Sequence, residues 1–77
     1  VLLIKIYYRT ADGRLGLSIY NTIHGAKIGM AKKARNGWFV EAICAYGPDE
    51  ERRQAIKELT DWAEKRSLLW PPRGLEE

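Results

Sequence analysis

The apolar residues after Pro48 recur at intervals of three and four, which is the period of a helix with one buried face. The residues on this stripe are Ala55, Ile56, Leu59, Trp62 and Ala63. Gly47 is the expected N-cap and Pro48 the first helical residue, and three acidic residues follow at the positive end of the helix dipole. The pattern predicts a helix over about 48–67, with Leu59 and Trp62 buried.

The chain before Gly47 favours strands instead. Four segments are rich in β-branched and aromatic residues or alternate between apolar and polar, and they cover about 1–10, 15–23, 26–35 and 38–46. The dipeptides between them are Asp12-Gly13, His24-Gly25 and Asn36-Gly37. Each is typical of a two-residue hairpin turn, because glycine supplies the positive φ that such turns need. The turns then place Arg9 opposite Gly16, and Lys32 opposite Glu41.

These registers bring the apolar sets of all four strands to one side of a sheet. The sequence therefore predicts a single α+β domain spanning 1–77, built as a four-stranded antiparallel meander of order 1-2-3-4 with one C-terminal helix on its apolar face. The tail, 68–77, contains Leu68, Leu69 and Trp70 before two prolines. We expect these apolar residues to close the open end of the core and residues 73–77 to be frayed.

Positive charge is concentrated in the predicted strands. The chain carries a net charge of +3. Residues 1–47 contain seven basic and two acidic residues, a balance of +5, whereas residues 48–77 contain six basic and eight acidic residues, a balance of −2. A basic sheet favours an anionic partner.

The other face of the predicted sheet combines basic side chains with aromatic rings. We predict binding roles for Lys5, Tyr7, Arg9, Tyr20, Lys27, Lys33, Arg35, Trp38 and Tyr46. Cations neutralise phosphates and flat rings stack on bases, so this combination predicts a surface for single-stranded DNA or RNA.

Nucleic acid is the first choice for this surface, and two alternative uses follow it. One is a protein-interaction module, such as a small inhibitor or adaptor encoded by a mobile element, that docks an acidic or apolar partner on the same face or on the Trp70 tail. The other is burial of the face in a homodimer. Lysine and aromatic residues are also common on solvated sheet faces, where lysine discourages edge aggregation.

No combination of residues predicts catalysis or a cofactor. His24 and Cys44 are the single histidine and the single cysteine, so they cannot complete a four-ligand zinc site within one chain. His24 is expected in a turn and Cys44 in mid-strand as a small apolar residue, which argues against a nucleophile and base pair. We expect a non-enzymatic protein.

The chain offers no apolar run long enough for a membrane span or a signal peptide. We therefore expect a cytoplasmic, intracellular protein without a membrane partner. The predicted order of four strands and a helix resembles the topology of the Whirly and PUR-repeat single-stranded nucleic acid binders, which assemble as paired units. No sequence motif accompanies this resemblance.

Overall fold

The computed structural model describes residues 1–71. In chain order the elements are β1 (Leu3–Thr10), β2 (Leu15–Tyr20), α1 (Ile23–Arg35), β3 (Trp38–Tyr46) and α2 (Asp49–Lys65). The three strands form one antiparallel sheet of order β2-β1-β3, and both helices pack on the same side of it. The α+β class is confirmed, but the four-stranded meander with one helix is wrong, and the topological resemblance drawn from it does not hold.

The segment predicted as the third strand, 26–35, is the helix α1. Its N-cap is Thr22, whose Oγ1 accepts a hydrogen bond of 2.9 Å from the Gly25 N–H. Ile23, Ala26 and Met30 are spaced by three and four residues and face the core, where Ala26 and Met30 are fully buried. The His24-Gly25 dipeptide therefore lies in the first turn of a helix, where the expected hairpin would have been.

The Asn36-Gly37 dipeptide ends this helix rather than joining two strands. Asn36 is the C-cap, and Gly37 follows with φ of 87° and donates its N–H to the Ala34 carbonyl at 3.1 Å. A glycine in the left-handed region just after the last turn is a common helix stop. Three basic residues in that turn, Lys32, Lys33 and Arg35, suit the negative end of the dipole.

The β1–β2 hairpin has a three-residue loop, not the two-residue turn that Asp12-Gly13 predicted. Gly13 donates to the Thr10 carbonyl at 3.0 Å and has φ of 94°, while Thr10 donates to the Arg14 carbonyl at 2.9 Å. This is the geometry of a turn followed by a left-handed residue. The extra loop residue shifts the register by one, so that Tyr8 faces Gly16 instead of Leu17. Each β2 side chain consequently points to the face opposite to the predicted one.

The core lies between the helices and one face of the sheet, which we call the inner face. Ile4, Ile6 and Tyr8 of β1 supply its centre, and Met30 and Leu59 cover them from the two helices. Leu59 is fully buried as predicted. Trp62 is only partly buried and packs at the margin of the core.

The helix α2 lies close to its predicted position, although its N-cap is Pro48 and not Gly47. The last turn closes with Leu68 donating its N–H to the Ala63 carbonyl at 2.9 Å. Residues 68–70 then run beside β3, where Val40 donates its N–H to the Leu68 carbonyl and Trp70 donates its N–H to the Val40 carbonyl, both at 2.7 Å. Leu68 and Leu69 pack against the core as expected. The predicted fraying of residues 73–77 lies outside the described residues.

Tyr20 joins β2 to α1 on the inner face. Its hydroxyl lies 2.9 Å from that of Tyr8, and its ring fills the space beside Gly29 that a side chain there would occupy. Burial, followed by the Tyr20 hydrogen bond, raises the pKa of Tyr8 far above its ordinary value, so Tyr8 stays neutral. Glycine in mid-helix costs about 1 kcal/mol relative to alanine, and here it is the space for Tyr20 that requires it.

A double-mutant cycle measures this contact. Gly29→Ala alone is expected to lower the free energy of unfolding, because its Cβ would overlap the Tyr20 hydroxyl and displace the ring. In a Tyr20→Ala background the same change is expected to raise it by up to about 1 kcal/mol, since only helix propensity remains. Urea unfolding of the four proteins gives the cycle. Equal effects of Gly29→Ala in both backgrounds would contradict the contact.

We expect the β1–β2 loop to make the free energy of unfolding depend on pH. The Thr10 hydroxyl donates to Asp12 Oδ1 and accepts from the Arg14 N–H at 2.9 Å. The Thr10 hydrogen bond and the nearby Arg14 lower the pKa of Asp12 below its ordinary 3.8. A lowered folded pKa adds stability above pH 3.8, and that stability is lost as the pH falls through the folded value.

Asp12→Asn is therefore expected to destabilise the chain at pH 7, with the difference from the parent disappearing in strong acid. Urea unfolding from pH 7 down to about pH 2 checks this. A Thr10→Val background should remove most of the pH dependence, because it deletes the main cause of the shift. A difference that stays constant with pH would exclude the loop as its source.

Candidate interaction face

The sheet face turned away from both helices, here called the outer face, is apolar over much of its area. Within residues 1–71, no helix covers it. The exposed fractions are 65% for Leu15, 49% for Leu17, 54% for Ile19, 37% for Tyr7 and 51% for Tyr46. Isolated exposed apolar side chains are ordinary, but a contiguous group on an open sheet is typical of an interaction site.

The strand registers explain why these side chains are neighbours. Leu17 pairs with Tyr7, and Ile19 pairs with Lys5, so the outer-face residues of β2 stand beside those of β1. On the other side of β1, Tyr7 pairs with Ala42, and Lys5 with Cys44. The result is a band with aliphatic residues on β2, a tyrosine at the centre and small residues on β3.

Of the residues that the structure describes, two basic ones, Lys5 and Arg9, lie on the outer face, and they differ in their environment. The Arg9 Nε lies 3.0 Å from Glu41 Oε2, although its N–H is not aligned as a hydrogen bond. A β-bulge after Tyr7 provides the extra residue that places Glu41 there. The Lys5 Nζ lies 5.5 Å from the centre of the Tyr46 ring and forms no ion pair with any described residue. Lys5 is therefore the available cation of the band.

Trp70 covers one end of the outer face. The Trp70 ring packs against Phe39 with ring centres 6.1 Å apart, and the Arg9 guanidinium lies 5.4 Å from the centre of the same Trp70 ring. Arg9 thus lies between Glu41 and Trp70. These contacts occupy the Trp70 ring, which was predicted as a free anchor, whereas nothing within residues 1–71 covers the β2 end of the face.

The nine residues predicted to form one binding surface lie in different parts of the structure. Lys5, Tyr7, Arg9 and Tyr46 share the outer face, as predicted. Tyr20 lies on the inner face, and Lys27 binds Glu58 of α2 at 2.9 Å. Lys33, Arg35 and Trp38 lie at the end of α1 and the start of β3. Placing all nine on one face was wrong, because the segment that carries Lys27, Lys33 and Arg35 is helical.

A second basic cluster lies at the C-terminal end of α1. The Trp38 ring has Lys33 Nζ at 5.2 Å and Arg14 Cζ at 5.7 Å from its centre. A Cβ on Gly16 would stand 3.1 Å from the indole, so the ring packs on the backbone there. Trp38 is half-buried in this arrangement. Its ring therefore serves packing between α1 and the hairpin more than stacking with a base.

A cavity of about 440 Å³ lies between the helices. It is lined by Lys27, Glu58, Asp61, Trp62, Lys65 and Arg66. The Lys27 and Glu58 side chains bind each other across it, and the Arg66 guanidinium stacks 4.1 Å from the centre of the Trp62 ring. These groups already engage one another, which leaves this cavity less open to a ligand than the outer face.

Other potential chemistry in the described residues is sparse. His24 lies in the first turn of α1, not in the predicted turn, and Cys44 lies in β3 beside Lys5. Among residues 1–71, no group of three or more His, Cys, Asp or Glu side chains is placed to hold a metal ion. Over the same residues, no helix combines the length and apolarity needed to cross a bilayer.

Leu15, Leu17 and Ile19 were not predicted as surface residues. The two-residue turn placed Leu17 and Ile19 on the core side, because alternation gives the period of a strand but not which face is buried. The one available signal was the loop. Reading Ala11-Asp12-Gly13 as a three-residue turn with Gly13 left-handed would have reversed the assignment.

Comparisons with family models, with curated proteins and with solved structures found no match to this chain.

Proposed function

We propose that this chain is a non-catalytic protein-interaction module that binds a partner protein through its outer face. The observation that carries the proposal is the exposed apolar band of Tyr7, Leu15, Leu17, Ile19 and Tyr46. Covering these side chains removes apolar area from water, which is the main favourable term in protein association. Tyrosine is also enriched among the residues that dominate interface energies.

The charges on the band indicate the chemistry of the partner. Lys5 is available, whereas Arg9 is held by Glu41. A partner segment with alternating apolar residues and one acidic residue would match the aliphatic side chains of β2 and also pair with Lys5. Such a segment would combine the acidic and the apolar partner that the sequence analysis gave as alternatives.

Single-stranded nucleic acid is the second candidate. It is favoured by the combination of Lys5, Tyr7, Arg9 and Tyr46 on an open antiparallel sheet, where exposed rings can stack on bases. Binding of this kind depends on several cations that neutralise phosphates. With Arg9 engaged by Glu41 and three aliphatic residues beside Tyr7, the outer face suits a protein better.

Peptide selection tests the first proposal. A display library of random extended peptides, selected on the parent protein, is expected to yield sequences with alternating apolar positions and an acidic residue. Tyr7→Thr should weaken the selected peptides by about 1–2 kcal/mol in a fluorescence polarisation titration, because it removes the central ring. Ile28→Thr is the matched control, since Ile28 is exposed on α1, away from the outer face. Failure to enrich peptides, or equal loss in both variants, would count against the proposal.

An oligonucleotide titration at several salt concentrations tests the second candidate. If the outer face binds phosphates, Lys5→Ala should reduce the slope of log affinity against log salt by about 0.7 for a single strand. The double variant Lys33→Ala with Arg35→Ala should then leave the slope unchanged. A slope that changes in the double variant but not in Lys5→Ala would place the phosphate contacts at the end of α1. If the parent binds no oligonucleotide at low salt, nucleic acid is excluded as the ligand.

A further inference from the structure

The free edge of β2 lacks the features that usually protect an edge strand. Within residues 1–71, β2 has β1 as its single neighbour in the sheet. Residues 15–20 read LGLSIY and contain neither a charge nor a proline, and no bulge interrupts their pairing with β1. Natural proteins commonly protect exposed edges by these means. The β3 edge, in contrast, is partly covered by residues 68–70, which form hydrogen bonds with both the N–H and the carbonyl of Val40.

The hydrogen-bonding groups of this edge are set by the hairpin. Because Thr10 donates to the Arg14 carbonyl, Arg14 turns its carbonyl toward β1, and the same holds for every second residue along β2. The intervening residues Leu15, Leu17 and Ile19 therefore direct their N–H and C=O groups away from β1. Their side chains lie on the outer face, so the free edge and the apolar band meet along one strand.

We infer that β2 pairs antiparallel with β2 of a second copy of this chain, with the twofold axis at Leu17. In this register Leu17 faces Leu17, and Leu15 faces Ile19, so all three outward residues of each copy form hydrogen-bonded pairs. An axis at Ser18 would give fewer such pairs within the strand. An axis between Leu17 and Ser18 would oppose residues of different faces.

The side chains agree with this register. Three aliphatic residues from each copy become neighbours across the new strand pair, where they cover part of one another's apolar surface. The nearest charged residue, Arg14, falls opposite Tyr20 of the second copy, so no like charges meet. An interface made from six-residue edges is small, and we expect a dimer that dissociates in the micromolar range.

The pairing would join two three-stranded sheets into one of six strands and make the two apolar bands continuous. A continuous band would offer a partner protein a larger surface. The dimer would thus deepen the proposed function, and its role in partner binding rests on that function. The pairing itself rests on the backbone groups and the register.

Leu17→Pro isolates the edge hydrogen bonds. The Leu17 N–H points away from β1, so proline removes no bond within the monomer, and proline is tolerated on an edge strand whose N–H faces outward. Leu17→Val is the matched control of similar size. By sedimentation equilibrium, the parent and Leu17→Val should dimerise with rising concentration, and Leu17→Pro should do so at least about tenfold more weakly. Circular dichroism and urea unfolding check that each variant is folded.

Cross-linking tests the register without proline. In a Cys44→Ala background, Leu17→Cys would place two cysteines at the twofold axis with Cα atoms about 5.5 Å apart, within the range of a disulfide. With Ile19→Cys, the Cα atoms of the two introduced cysteines would lie about 14 Å apart. Leu17→Cys should therefore form the intermolecular disulfide at least about tenfold faster under mild oxidation.

Three results would overturn the inference: a parent that stays monomeric, dimerisation that Leu17→Pro does not weaken, or equal cross-linking rates. The Tyr7→Thr variant tests peptide binding independently of the dimer. Tyr7 lies on the central strand, so its substitution should weaken peptide binding and leave dimerisation unchanged. A dimer that binds no selected peptide would overturn the proposed function alone. Peptide binding by a monomer would overturn the pairing alone.

Discussion

The organisation of this chain depends on the three-residue loop between β1 and β2. The hydrogen bonds of Thr10 with Gly13 and Arg14 set where the second strand begins to pair, and that choice fixes the face of every side chain along β2. With this register, Gly16, Ser18 and Tyr20 point to the inner face. The smaller residues leave room there, and the Trp38 ring occupies the space over Gly16. The aliphatic residues Leu15, Leu17 and Ile19 are left outside.

The helix α1 stabilises this register because it supplies the apolar side chains that β2 does not direct toward the inner face. It crosses from β2 to β3 on the inner side, and its buried residues Ala26 and Met30 cover the fully buried side chains of β1. Tyr20 fixes the helix to the sheet through Gly29 and through the hydroxyl of Tyr8. Both helices therefore pack on one face, and within residues 1–71 no helix covers the other.

The separation of charge from apolar surface follows from the same layout. Most basic residues of the first half lie on α1 or in its last turn, where they suit the helix dipole and engage Glu58 or aromatic rings. Among the described residues, two basic side chains lie on the outer face, and one of them is paired with Glu41. A surface that appears strongly basic in the sequence is therefore mainly apolar, which is why we propose a protein as the partner in preference to nucleic acid.

The sequence by itself determined β1, β3 and α2 to within a few residues. The helix α2 has a sustained helical period, and both strands are rich in β-branched and aromatic residues, although a bulge at Glu41 interrupts the alternation of β3. It also determined the burial of Leu59 and the outward position of Lys5, Tyr7, Arg9 and Tyr46. Residues 23–35 were decided by the fold. Glycine dipeptides there are compatible with hairpins and with helix ends, and only the packing of Ala26 and Met30 against β1 selects the helix.

The facing of β2 was likewise beyond the sequence pattern. Alternation is compatible with two registers of β2 against β1 that differ by one residue. The hydrogen bonds of the loop fix the register that exposes the larger side chains. The physical reason is that local pattern fixes which residues share a face, whereas which face is buried depends on what the rest of the chain places against it.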